Sequence, residues 1–240
     1  MIYLKGIIMR STFVLAMIFS SLLAQQALAA EKWGGFYAGV ELGYIKGDDD
    51  GKEYDNPPGD FFNGWMQNPQ PDGFGLGLRA GYNWTLGDNL LLGIEGAFNN
   101  YSAKDHVYQY DAGGDDCDPA TDCQFTTRIE NSYSILGRAG YRVTDNVLIY
   151  ALGGYTNAKI KRTIYDGWFL VGSDTHTDRQ DGWTLGIGGE YLFSDAVSVR
   201  LEYRRTDLGK ESLVSPAYEG VIERFDYEQD ELSIGACYHF

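Results

Sequence analysis

Eight ionisable residues recur on one side of alternating runs, always among glycines and small polar residues: Glu41, Arg79, Glu95, Arg138, Glu190, Arg200, Glu202 and Arg204. The other side of the same runs carries Val, Leu, Ile and aromatic residues. A period of two with unlike faces is the mark of a β-strand standing between two different surroundings. Four arginines and four glutamates on shared faces have two chemistries open to them. They can neutralise one another inside a closed polar interior, where an unpaired charge is costly. Alternatively they can line a charged constriction in a narrow pore. An eight-stranded barrel is just wide enough for side chains to fill, which favours mutual pairing.

Catalytic chemistry has little to work with. The histidines are His106, His176 and His239, and a nucleophile needs a base brought to it, usually from a separate element. His176 lies close in sequence to Ser173, Asp174 and Asp178, which does not suit a triad, and His239 reads as an inward residue of the last strand. No catalytic residue is assigned and no enzyme is expected. Asp48-Asp49-Asp50-Gly51 with Glu53 lacks the alternating ligands and distal glutamate of a calcium loop and reads as solvated charge on a mobile loop, with weak divalent binding as the alternative. No metal site and no cofactor is assigned. Cys117 and Cys123, in an Asp/Gly-rich stretch, are a candidate disulfide in an oxidising compartment, whereas Cys237 reads as a small inward filler.

Eight alternating segments must position these groups. They are read at about Phe36–Ile45, Phe74–Trp84, Leu90–Asn99, Ile129–Tyr141, Val147–Tyr155, Trp183–Phe193, Val197–Arg204 and Leu232–Phe240. In the fifth, Leu148, Tyr150 and Leu152 compete with Val147, Ile149 and Ala151 for the apolar face, so its register stays open. Short connections with Gly, Asp or Asn at Thr85–Asn89, Val143–Asn146 and Ser194–Ala196 alternate with long polar, acidic stretches at 46–73, 100–128, 156–182 and 205–230. Aromatics gather in two bands. Phe36, Trp84, Tyr141, Tyr191, Phe193, Tyr238 and Phe240 fall at the short-turn rim, and Tyr44, Phe74, Phe98, Tyr133, Tyr155, Trp183 and Tyr203 at the loop rim. Banding by depth, short turns on one rim and an even strand count predict an all-β fold: an eight-stranded antiparallel up-and-down transmembrane β-barrel with its greasy face in lipid. An exported soluble barrel would instead enclose the aliphatic face around a ligand.

Residues 1–29 read as a secretory signal. Lys5 and Arg10 precede an apolar run at Phe13–Leu23, and Ala27-Leu28-Ala29 makes a small-x-small cleavage site, with Met9 as an alternative start. Residues 30–240 form the barrel domain. The formal net charge of −15 excludes nucleic acid as a partner bound through bulk charge. Among the exceptions, Lys159, Lys161 and Arg162, and likewise Arg204, Arg205 and Lys210, either meet lipopolysaccharide phosphates at the outer leaflet or balance an acidic surface. Trp168-Phe169-Leu170-Val171 is an apolar patch within a long polar stretch that either packs on neighbouring segments or contacts a partner.

Gly77-Leu78-Arg79-Ala80-Gly81-Tyr82 echoes Leu136-Gly137-Arg138-Ala139-Gly140-Tyr141, each followed by Asp-Asn in a turn, and the chain ends on Tyr238-His239-Phe240. With Trp33-Gly34-Gly35-Phe36-Tyr37-Ala38-Gly39, these segments resemble the opacity-like, OmpA-type outer-membrane barrels, often labelled outer-membrane immunogenic or porin-family proteins. The resemblance implies residence in a bacterial outer membrane and a terminal strand (Leu232, Ile234, Tyr238, Phe240) read by the barrel-assembly machinery. It also implies surface-exposed loops that contact hosts, antibodies or envelope components. The function expected is structural and interactive, adhesive or immunogenic, through four long acidic loops. The alternative is a small low-conductance porin for passive diffusion of small solutes.

Overall fold

A computed structural model of the chain describes residues 32–55, 62–111, 113–114, 124–166, 172–214 and 221–240. The expected signal segment, the Cys117–Cys123 pair and the Trp168–Val171 patch lie outside the described residues. Ten strands follow in order: β1 (Gly35–Asp55), β2 (Phe62–Gln67), β3 (Asp72–Leu86), β4 (Leu90–Tyr108), β5 (Tyr110–Asp111), β6 (Gln124–Thr144), β7 (Val147–Asp166), β8 (Gly172–Leu192), β9 (Val197–Val214) and β10 (Val221–His239). Eight of them close a ring, β1-β3-β4-β6-β7-β8-β9-β10, with every neighbour antiparallel. β2 and β5 continue the wall beside the upper part of β1. The ring shuts where β1 meets β10. Tyr37 faces His239, Tyr44 faces Leu232, and the ladder runs up to Asp55 opposite Val221. The Phe240 N–H donates to the Phe36 carbonyl at 2.9 Å. No sheet edge is left open there.

Orientation is decided by exposure. Leu78, Ile187 and Leu201 are 60%, 64% and 57% exposed, whereas Arg79, Glu190 and Arg200 are 3% or less. The aliphatic face looks outward and the charged face inward, the reverse of a soluble ligand-binding barrel. β7 resolves its register the same way: Leu148, Tyr150 and Leu152 are buried inside, and Ile149 faces out.

The long polar stretches carry much more strand than their loop-like chemistry suggests. A tilted strand crosses a bilayer in about 9–11 residues, yet the ring strands are 15 to 21 residues long, reaching well into 46–73 and 100–128 and through most of 156–182 and 205–230. The apolar alternation on the outer face stops at the tyrosine band, while the backbone ladder continues beyond it. Asp48, Asp49 and Asp50 therefore sit on β1 and His176 on β8, not on loops.

Candidate functional site

The interior is filled in layers. In the membrane half, Arg79 is held by Glu41, by Glu95 at 2.8 Å and by Glu202 at 3.4 Å. Arg200 reaches Glu95 at 2.8 Å and Glu190 at 3.3 Å, and Arg204 reaches Glu41 at 2.8 Å, Glu231 at 2.9 Å and Glu202 at 3.3 Å. Arg138 pairs with Glu190, its guanidinium 3.7 Å from the centre of the Tyr150 ring. The hydroxyls of Tyr37, Tyr150 and Tyr101 donate to Glu95 (2.7 Å), Glu202 (2.6 Å) and Glu231 (3.1 Å). Every carboxylate thus serves more than one partner, as ion pairs out of water require. Glycine on the wall makes room for the long side chains: a Cβ at Gly81 would lie 2.5 Å from the Tyr37 hydroxyl and 2.6 Å from the Ile94 carbonyl.

Below and beside the charges, Trp33, Leu91, Leu136, Leu148, Tyr150, Leu152 and Leu192 form an apolar cluster. The Trp33 indole N–H donates to the Asp145 carbonyl (3.0 Å), and the Asn83 amide donates to the Trp33 carbonyl (3.1 Å), fixing Trp33 at the short-turn end. His239 stacks edge-on against Trp33 and lies 3.2 Å from Glu190. Cys237 is buried on the same inward face.

Above the charges runs a chain of hydroxyls, Ser134–Thr156–Thr184–Thr206, at 2.6–2.7 Å across four successive strands. Then comes a second apolar layer. Ile45, Tyr101, Ala103, Ile129, Ala158, Ile160, Leu208 and Tyr227 come from six of the eight ring strands and meet across the bore, none more than 7% exposed. Higher still, Asp49 accepts from Arg162 (2.7 and 2.9 Å) and Thr127 (2.6 Å), beside the stacked rings of Phe125 and Phe225.

Outside, the loop-side band is set by polar anchors. Tyr44 donates to Asp72 at 2.5 Å, Tyr203 to Asp230 at 2.6 Å, and Tyr155 to Asp181. In each case the carboxylate stands two residues from the tyrosine's cross-strand partner, toward solvent. An aromatic ring in hydrocarbon with its hydroxyl in polar contact is how interfacial tyrosines sit.

A family model described as "Outer membrane protein beta-barrel domain" matches residues 14–240. The chain belongs to this family of outer-membrane barrels. Among its relatives is a 31 kDa outer-membrane immunogenic protein of Brucella melitensis, 28% identical over 226 residues that cover 88% of this chain and 90% of the relative. A 22 kDa outer membrane protein of Rhizobium leguminosarum is 28% identical over 184 residues, 74% of this chain and 65% of the relative. The crystal structure of the outer membrane protein OprG from Pseudomonas aeruginosa superposes with a TM-score of 0.59 at 13% identity, over 86% of this chain and 96% of that one. It shares the fold. The protein is an outer-membrane β-barrel.

Within this family fold, all eight ionisable residues singled out from sequence lie inside one network, joined by Glu231, Tyr37, Tyr101 and Tyr150. Glu231 was legible in principle, since it shares the inward parity of Ser233 and Gly235. Two expected phosphate contacts are corrected. Arg162 and Arg204 are buried in the bore, where Asp49 and the glutamates hold them. Arg205 and Lys210 face outward and pair with Glu228 and, at 3.6 Å, Asp226. Leu232, Ile234, Tyr238 and Phe240 all face outward, at or below the upper band. Of the histidines, His106 lies exposed on β4, His176 on the upper part of β8 and His239 at the opposite rim, so no two share a site.

Proposed function

We propose that the barrel is closed to solutes and acts through its extracellular surface, as a structural and interaction protein with no catalytic role. The observation that carries this reading is the second apolar layer, which fills the bore from six strands. A conducting lumen needs a continuous polar path. Here water or ions would have to cross close-packed Ile, Leu and Tyr side chains and then a buried network of ion pairs. Planar bilayer recording of the purified barrel tests this. No steady single-channel steps are expected, and steady steps abolished by altering Arg138 or Glu95 would overturn the reading in favour of a small porin.

Surface contact is supported by what the strands present beyond the tyrosines. Lys104, Arg128 and Lys161 stand directly across from one another on β4, β6 and β7, just above the aromatic band, and no ion pair joins them to a carboxylate among the described residues. Like charges in cross-strand register destabilise a sheet unless an anion lies between them. The wall offers this row the carboxylates of Asp72, opposite Lys104, and of Glu130, which feels the charge of Arg128 and Lys161, but Asp72 is also bound by Tyr44 and Glu130 by Lys159. Outer-leaflet phosphates would supply the balance, and lipopolysaccharide is the partner we favour for this row. Replacing all three by Gln is expected to reduce the lipopolysaccharide retained on the purified barrel; unchanged retention would rule the row out. The outward apolar residues of β10, ending at Phe240, are what we propose the assembly machinery reads. Deleting Phe240 should lower the amount of folded protein in the outer membrane, and a normal amount would refute it. Adhesive or immunogenic contact with host or envelope partners would belong to the same extracellular half.

A further inference from the structure

Near the mouth of the bore, above the second apolar layer, the wall has a seam. The ladder between β8 and β9 ends at Trp183 opposite Asp207. Beyond that point β8 stays paired to β7 as far as Gly172, and β9 stays paired to β10 as far as Val214. Side chains face one another across the gap. Asp178 and His176 stand opposite Ile160 and Arg162, whose side chains point into the bore, so both point inward as well. On β9 the inward parity would otherwise miss this place. Gly209, at φ +67°, adds the residue that shifts it, and Glu211 comes to lie opposite the inward Phe225.

We propose that His176, Asp178 and Glu211 form a binding site for a divalent first-row transition ion, which clips β8 to β9 across the seam. One imidazole nitrogen and one oxygen from each carboxylate all lie within 4.8 Å of one another. Ligands about 2.0–2.2 Å from a common ion stand up to about 4.3 Å apart, so a small side-chain movement closes the site. A nitrogen with two carboxylates suits zinc and its first-row neighbours, whereas calcium takes six to eight oxygens.

A second observation points the same way. Gln180 is 5% exposed, and its amide N–H donates to Glu211, the arrangement by which an outer group orients a ligand. Its amide oxygen is buried without a hydrogen-bond partner. Three protein ligands leave a position for water, and that oxygen can accept from it. The cation across the ladder, Arg162, is already engaged by Asp49; within the site Asp178 contacts the His176 ring and Glu211 accepts from Gln180, so an ion would replace the His176–Asp178 contact. Sequence alone showed no such site, because Glu211 lies more than thirty residues beyond His176 and Asp178 and is brought to them by the bulge.

Isothermal titration with Zn²⁺ tests the site, using the tag-free chain folded in lipopolysaccharide-free detergent micelles with excess Mg²⁺ to suppress weak carboxylate binding. One Zn²⁺ per chain is expected. His176→Ala and Glu211→Gln should each weaken it by about 100-fold or more, and Gln180→Leu by about 10-fold, the lower end for an outer-shell partner. Unchanged heat-modifiable mobility on gels certifies that each variant is folded. Zn²⁺ should also slow amide exchange in residues 206–214 of the wild type and leave it unchanged in folded His176→Ala. No uptake in the presence of Mg²⁺, or equal uptake by the wild type, His176→Ala and Glu211→Gln, would overturn the proposal.

Discussion

On β10, Leu232, Ile234, Ala236 and Tyr238 face outward below the upper tyrosines, while Arg224, Asp226, Glu228 and Asp230 hold the same face above them. The inner face changes in the opposite sense, from Glu231, Ser233 and Gly235 in the membrane half to Phe225 and Tyr227 above. β1 repeats the exchange, with Val40, Leu42 and Tyr44 outside below, Lys46, Asp48 and Asp50 outside above, and Ile45 inside at the crossover. One continuous ladder therefore passes through two solvents. In lipid the barrel is greasy outside and ionic within; in water it is polar outside and carries an apolar layer within. Each half hides whatever its own surroundings disfavour.

The largest effect should come from the membrane interior. Arg200→Ala removes one of the two arginines at each of Glu95 and Glu190, leaving them Arg79 and Arg138 alone and the buried network one cation short. A loss of about 3–5 kcal/mol is expected for breaking such a buried pair, read as the shift of the urea unfolding midpoint in lipid vesicles. A loss below about 1 kcal/mol, the range of exposed pairs, would mean that the network is wet.

This inversion also explains what could be read from sequence. The eight strands, their order and the inward charges were legible because in the membrane half every outward residue is apolar, so a period of two stands out. Strand ends were not legible. Beyond Tyr44, Tyr133, Tyr155 and Tyr203 the outward positions turn polar and the inner ones apolar, and glutamates such as Glu53 and Glu223 remain among the inner residues. A segment such as Lys46–Asp55 then looks uniformly charged and loop-like. Arg162 was misread for this reason: its charge suggested the surface, and only the register opposite Asp178's neighbour His176 places it in the bore. The parity shift at Gly209 that turns Glu211 inward leaves no trace in the hydrophobic pattern either.

The outer face offers a sharper form of the same contrast. Leu78 lies in the aliphatic band, and Thr177 faces outward well above it on β8. Leu78→Arg should cost about 2–4 kcal/mol, as a cation near the middle of the bilayer does on a barrel's lipid face. Thr177→Arg should cost no more than about 1 kcal/mol, the size of a like-charge cross-strand pair with Lys161. Equal costs, measured by the same unfolding assay, would erase the boundary drawn at the tyrosines.

The smallest effect belongs to ion pairs of the water-facing wall. Lys159 lies 2.7 Å from Glu130, both about one-third exposed, and the ammonium's hydrogen bond and charge hold the Glu130 carboxyl below its ordinary value. A carboxylate whose folded pKa is depressed contributes stability above the unfolded pKa and loses it as pH falls through the folded one. Glu130→Gln should therefore destabilise slightly at pH 7 and lose that effect as pH falls through the depressed folded pKa. Solvent and salt screen a pair this exposed, so the loss at pH 7 should stay under about 0.5 kcal/mol and shrink further in 1 M salt. The geometry of this pair is as short as those of Arg79 and Arg200 with Glu95, so distance does not set the difference in expected cost. Burial does: the same 2.7–2.8 Å contact is worth little where water can replace either partner, and is close to indispensable where the bore excludes it.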